Sequence, residues 1–162
     1  MPVKLTNLTI GDKAPKFSMP GSGDHETVKL SDYAGRYLVL YFYPKDNTPG
    51  CTTEAIDFTA KKQEFLDLNA DILGVSRDSV VKHNNFIAKK ELDIVLGADV
   101  EGKVTEDYDV WVEKSMYGKT YMGIQRASFL IGPNGKILEV WPKVRVKGHV
   151  DAVLETLRNY AA

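Results

Sequence analysis

Cys51 is the only cysteine in the chain, and the residues around it have types and spacings that could perform redox chemistry. The apolar run Tyr37-Leu38-Val39-Leu40-Tyr41-Phe42-Tyr43 stops at Pro44. A polar, turn-forming stretch, Lys45-Asp46-Asn47-Thr48-Pro49-Gly50, leads into Cys51 and the helical pattern that follows. A thiol in the first turn of a helix lies beside unpaired backbone N–H groups and the positive end of the helix dipole, and both favour thiolate over thiol. An ordinary thiol, with a pKa of about 8.5, is only a few per cent ionised at neutral pH, and the thiolate is the nucleophile. Thr48 offers a hydroxyl three residues earlier, and Pro44 and Pro49 stiffen the loop and remove two competing donors. A free cysteine can equally be a small buried hydrophobe. These residues by themselves leave both readings open.

Arg126 is the second candidate. It closes a long connection and opens an apolar strand, Ala127–Ile131. If that strand lies next to Tyr37–Tyr43, a permanently charged guanidinium would sit near the start of the Cys51 helix. A solvated arginine at a strand end is the alternative. Glu54, one turn after Cys51, reads either as a partner for loop groups or as a solvated helix residue. His25, His83 and His149 have no ligand spacing and are expected at the surface.

The elements that must position these groups follow from pattern. The stretch from Gly11 to Pro20 is extended, and Gly21-Ser22-Gly23-Asp24 reads as a hairpin turn before a short strand at Thr27–Leu30. Tyr37–Tyr43 is apolar on both faces, as in a strand central in a covered sheet. The Cys51 helix offers Ile56, Phe58, Phe65 and Leu66 for packing. A strand over Asp71–Ser76 precedes a helix over Val80–Glu91, capped by Ser79 or Asp78, with Val81, Phe86 and Ile87 toward the sheet. A short strand near Ile94–Leu96 and a brief helix near Lys103–Tyr108 follow. Val110–Arg126 is expected to be a long irregular connection whose Trp111, Tyr117 and Tyr121 either wall the site or an interface or, as the preferred reading, simply pack. Pro133-Asn134-Gly135-Lys136 turns Ala127–Ile131 into an antiparallel partner at Ile137–Trp141, and an amphipathic helix over Val150–Tyr160 ends the chain. The alternation of strand and helix implies parallel pairing.

At 162 residues, with 43% hydrophobic and 27% charged residues, the chain fits one domain, 1–162, with a sizeable core. A net charge of −1 argues against nucleic acid or an anionic membrane surface as partner. Met1–Asn7 has no apolar signal core and no segment is long enough to span a bilayer, so a cytoplasmic location is expected.

Pro44-x-x-x-Thr48-x-x-Cys51 resembles the active-site signature of peroxiredoxins, thiol peroxidases built on a thioredoxin-like fold. The string from Tyr41 to Thr52 is similar to the bacterioferritin-comigratory, or Q-type, branch. Gly11-Asp12-x-Ala14-Pro15-x-Phe17 resembles the opening of such proteins, and Arg126-x-Ser128-Phe129-Leu130-Ile131 resembles their arginine motif. The resemblance implies an α/β, thioredoxin-like fold, a mixed central sheet flanked by helices with an N-terminal β-hairpin extension. It implies that Cys51 attacks hydrogen peroxide or an organic hydroperoxide and becomes a sulfenic acid. Arg126, Thr48 and the Cys51 backbone N–H would donate to the departing oxygen, with Pro44 shaping the loop. No metal or organic cofactor is implied. Relatives often carry a resolving cysteine five residues after the first, where this chain has Ile56. A one-cysteine variant needs an outside thiol, of the thioredoxin or glutaredoxin/glutathione type, and the chain is expected to be a monomer or homodimer. A dithiol thioredoxin is disfavoured by Glu54 where the second cysteine would stand, and by Arg126-Ala127-Ser128 where a proline would open the strand. The competing class is a thioredoxin-fold redox sensor without turnover; a Cys–His hydrolase has no histidine near a matching motif.

Overall fold

A computed structural model describes residues 5–161; the first four residues and the last, parts of the expected 1–162 span, lie outside the described residues. Chain order is β1 (Ser18–Pro20), β2 (Thr27–Lys29), a 3-10 turn at Leu30–Tyr33, β3 (Tyr37–Phe42), α1 (Pro49–Asp67), β4 (Ala70–Ser76), α2 (Val80–Lys90) and β5 (Val95–Ala98). It continues with α3 (Lys103–Asp107), β6 (Trp111–Met116), β7 (Lys119–Ile124), β8 (Ala127–Ile131), β9 (Ile137–Trp141) and α4 (His149–Ala161). The central sheet has the order β5-β4-β3-β8-β9. The β3–β4 and β4–β5 pairs are parallel, and β3–β8 and β8–β9 are antiparallel. β1 and β2 form the expected N-terminal hairpin. This is the mixed thioredoxin-like architecture.

β3 is central and covered on both faces. Leu38, Leu40 and Phe42 join one core with Phe17, Val28, Tyr108 and Phe129. Val39, Tyr41 and Tyr43 join the other, beneath α1 and α4, with Phe58, Phe65, Val153, Leu154 and Leu157. Alternate residues therefore serve opposite cores, which is why the sequence shows an unbroken apolar run. Tyr41 stacks on Phe58 with ring centroids 4.6 Å apart, fixing the first turns of α1 against the sheet. Burying a ring such as Phe58 contributes roughly 1.5–3 kcal/mol. Gly74 makes the stack possible, because a Cβ there would stand 2.6 Å from the Tyr41 ring.

Three expectations need correction. The 110–126 segment is not irregular: β6 and β7 form an antiparallel hairpin with Met116 opposite Lys119. Its two-residue loop, Tyr117-Gly118, has positive φ at both positions (52° and 78°), the backbone of a type I′ turn. The hairpin stands out from the sheet with most side chains exposed, so it lacks apolar alternation, and Tyr117 faces solvent rather than packing. Ile56, Leu66 and Val81 are also exposed; α1 and α2 bury narrower stripes, centred on Phe58, Phe65 and Phe86. Lastly, His83 and His149 are buried, while His25 is exposed as expected. Ser79 does cap α2, accepting from the Lys82 amide.

Candidate active site

Sheet register brings the two sequence candidates together. Phe42 at the end of β3 lies opposite Ala127 at the start of antiparallel β8. The chain leaving β3 enters the 44–48 loop and α1, while the residue just before β8 is Arg126. Arg126 Nη2 donates to Cys51 Sγ at 3.3 Å, and Nη1 donates to Glu54 Oε1 at 2.6 Å. One planar guanidinium thus spans residues three apart on one helix face, which a lysine could not do. Gly50 leaves it room: a Cβ there would lie 3.2 Å from Nη2.

Cys51 is buried, with 2% of its surface exposed. It sits in the first turn of α1, which begins at Pro49. The helical ladder starts with the Thr52 amide bonding the Thr48 carbonyl at 2.8 Å, so the Cys51 amide has no intrahelical partner. Thr48 is the N-terminal flanking residue, but its hydroxyl does not cap the helix. It donates instead to the Lys45 carbonyl at 2.9 Å. With its proton engaged there, the Thr48 oxygen is left as an acceptor. Pro44 is exposed at the head of the loop.

Glu54, whose place the sequence left open, is fully buried. Burial pushes its pKa up to about 7 against the opposing pull of Arg126. Burial also works against the Arg126 charge, yet Glu54 and Cys51 hold its pKa above the ordinary arginine value. The i, i+3 spacing from Cys51 to Glu54 was the available signal, since it places both on one face.

Two buried histidines brace this arrangement. His83 Nδ1 lies 2.7 Å from Asp46 Oδ2, and its Nε2 lies 2.9 Å from the Gly97 carbonyl. Asp46 also accepts from the Tyr43 hydroxyl, and its amide donates to Asp78 Oδ2 at 2.8 Å. The loop carrying Thr48 is thereby fastened to α2 and to the end of β4. His149, at the start of α4, shares a 2.8 Å hydrogen bond with Ser128 Oγ. Burial, with help from the Arg126 charge, lowers its pKa to about 4, so it is neutral at physiological pH. No sequence signal marked either histidine, because their burial depends on contacts distant in the chain. Arg126, not a histidine, is what hydrogen-bonds the sulfur, so the geometry gives a Cys–His hydrolase no base. Among the described residues no acidic, histidine and cysteine side chains cluster as a metal site.

The arrangement can hold a thiolate and receive negative charge beside it. Residues 10–140 match the AhpC/TSA family. Peroxiredoxin Bcp of Bacillus subtilis is 52% identical over 153 residues, covering 94% of this chain and 96% of that protein. Peroxiredoxin Bcp of Escherichia coli is 43% identical over 157 residues, covering 97% and 100%. Among solved structures, a cysteine-to-serine mutant of Xylella fastidiosa PrxQ superposes with a TM-score of 0.91 at 42% identity, covering 97% of this chain and 99% of that one. A Xanthomonas campestris bacterioferritin comigratory protein, solved for insight into its alkyl peroxide reduction activity, has a TM-score of 0.87 at 44% identity, covering 97% and 99%.

Proposed function

This chain belongs to the AhpC/TSA family as a one-cysteine peroxiredoxin of the Bcp/PrxQ kind, a thiol-dependent peroxidase of antioxidant function, and we propose that Cys51 is its peroxidatic nucleophile. The observation that carries this reading is the 3.3 Å contact from Arg126 to Cys51 Sγ at the start of α1. The thiolate attacks the terminal oxygen of the hydroperoxide, forming the S–O bond of a sulfenic acid as the O–O bond breaks. The departing oxygen takes the electron pair as hydroxide or alkoxide. Arg126 and the free Cys51 amide stabilise that charge, an oxyanion-hole effect of about 10²–10³ per donor. The Thr48 oxygen accepts the peroxide O–H and aligns it, and Pro44 walls the entrance. No metal or organic cofactor is required.

The chemistry covers hydrogen peroxide and organic hydroperoxides; reduction of alkyl peroxide by the Xanthomonas relative supports the second class. With one cysteine in the chain, no disulfide can close within it, and Ile56 occupies the exposed face of α1. An external thiol of thioredoxin or glutaredoxin/glutathione type therefore condenses with the sulfenic acid, releasing water, and a second thiol frees Cys51. Among the described residues no helix is long and apolar enough to cross a membrane. The reading places the protein in the cytoplasm as one domain, monomeric or homodimeric, without nucleic-acid or membrane partners.

The test is peroxide loss in the presence of a thiol reductant. Wild type should consume peroxide and Cys51→Ser should not; equal rates would overturn the assignment.

A further inference from the structure

Between β9 and α4 the chain runs past the active site as an irregular strap, residues 142–148. The Val144 amide donates to the Arg126 carbonyl at 2.9 Å, and the His149 amide donates to the Val146 carbonyl at 3.1 Å where the strap turns into α4. Arg126 is also the residue whose Nη2 donates to Cys51 Sγ at 3.3 Å, so a single residue joins the strap to the sulfur. Gly50, which precedes Cys51, approaches both. A Cβ there would stand 3.2 Å from Arg126 Nη2 and 3.9 Å from Val146 Cγ2.

Burial alternates along the strap. Val144 and Val146 are half-buried, while Lys143, Arg145 and Lys147 are exposed. One face packs down toward Arg126 and Gly50, and the other presents three cations within five residues. No acidic residue stands between Glu139 and Asp151, although the whole chain carries a net charge of −1. None of the three cations forms an ion pair among the described residues. Clustered charges of one sign raise the local concentration of oppositely charged molecules and the rate at which they arrive.

The two half-reactions differ in what such a field can serve. Hydrogen peroxide and alkyl hydroperoxides are uncharged, so the strap offers them little. The second half-reaction brings an outside thiol to Cys51, which is only 2% exposed. A slim thiol entering beside Gly50 can reach a sulfur set that deeply, whereas the thiol of a folded protein would need the first turn of α1 to unwind.

On the reading that Cys51 is the peroxidatic thiol, we propose that the 143–147 strap captures the reductant, a low-molecular-weight thiol carrying carboxylates, of the glutathione class. The strap's cations hold its carboxylates while its thiolate attacks the sulfenic sulfur. An S–S bond forms as the S–O bond breaks, and the hydroxide takes a proton and leaves as water. A second thiolate attacks the mixed disulfide, freeing the Cys51 thiolate and carrying both oxidised thiols away as their disulfide.

The experiment separates charge from thiol reactivity. Wild type and the triple variant Lys143→Gln/Arg145→Gln/Lys147→Gln are oxidised with one equivalent of hydrogen peroxide, and mass spectrometry checks for the Cys51 sulfenic acid in each. The rate of its reduction is then measured with glutathione, with uncharged 2-mercaptoethanol and with a reduced thioredoxin. The variant should lose about tenfold with glutathione and less than about twofold with 2-mercaptoethanol, the scale of electrostatic steering into a charged site. Salt at about 0.5 M should remove most of that difference. Equal losses with the two small thiols, no loss with glutathione, or a glutathione loss unmoved by salt would each overturn the proposal. A loss confined to thioredoxin would overturn it in favour of a protein reductant. A wild-type chain that forms no sulfenic acid at Cys51 would instead overturn the reading on which the proposal rests.

Discussion

Replacing Glu54 by glutamine should change how stability depends on pH, and the structure sets the size of the effect. The glutamate carboxyl is fully buried and makes a single short bond, to Arg126. Its pKa moves from an ordinary 4.5 to about 7 because burial outweighs the pull of the guanidinium. A carboxyl raised in the folded state ionises first in the unfolded chain. Its contribution to stability is therefore complete below pH 4.5 and is lost as pH rises through 7. At about 1.4 kcal/mol per pH unit, the loss totals about 3 kcal/mol, of which about 2.5 kcal/mol falls between pH 5 and pH 8. Glutamine accepts the same bond from Arg126 Nη1 but does not ionise. Urea unfolding at several pH values, with unchanged m, should show Glu54→Gln gaining on wild type by about that amount across this range. Parallel profiles would refute the buried-carboxyl argument.

His149 should act in the opposite direction. Its pKa is lowered from 6.5 to about 4, so the unfolded chain binds the proton first, and stability present above pH 6.5 is lost as pH falls toward 4. The loss is about 3 kcal/mol, and His149→Gln should flatten that acid limb in the same unfolding experiment. At the site itself, Arg126→Ala should slow single-turnover peroxide reduction by about 10²–10³-fold, while Arg126→Lys should recover only part, because one ammonium cannot reach Glu54 and Cys51 together. An Arg126→Lys rate equal to wild type would show that charge alone suffices.

Most of the scaffold was legible because local pattern and tertiary environment agree. The unbroken apolar run of β3, the Pro-rich loop, the Pro133–Lys136 turn and the Val153, Leu154, Leu157 stripe of α4 each report their own surroundings. Cys51, Thr48, Arg126 and Pro44 stood out for their positions at element ends, and β3–β8 register brings Arg126 to Cys51. The β6–β7 hairpin was hidden because it is an exposed ribbon turned by Tyr117-Gly118, with neither apolar alternation nor an Asn-Gly pair. Glu54, His83 and His149 were hidden for a different reason. A polar residue is buried only when partners share its hydrogen bonds, and Arg126, Asp46, Gly97 and Ser128 lie 14 to 72 residues away. That the Thr48 hydroxyl donates to the Lys45 carbonyl is a detail of loop geometry that spacing does not carry.

The most direct test is intact-protein mass spectrometry after one equivalent of peroxide, with a sulfenic-acid trapping reagent present and no reductant. The account predicts that nearly every wild-type chain gains one trapping adduct, mapped to Cys51, while peroxide is consumed in equal amount. Peroxide loss without a modified Cys51, or an unmodified chain with peroxide intact, would contradict it.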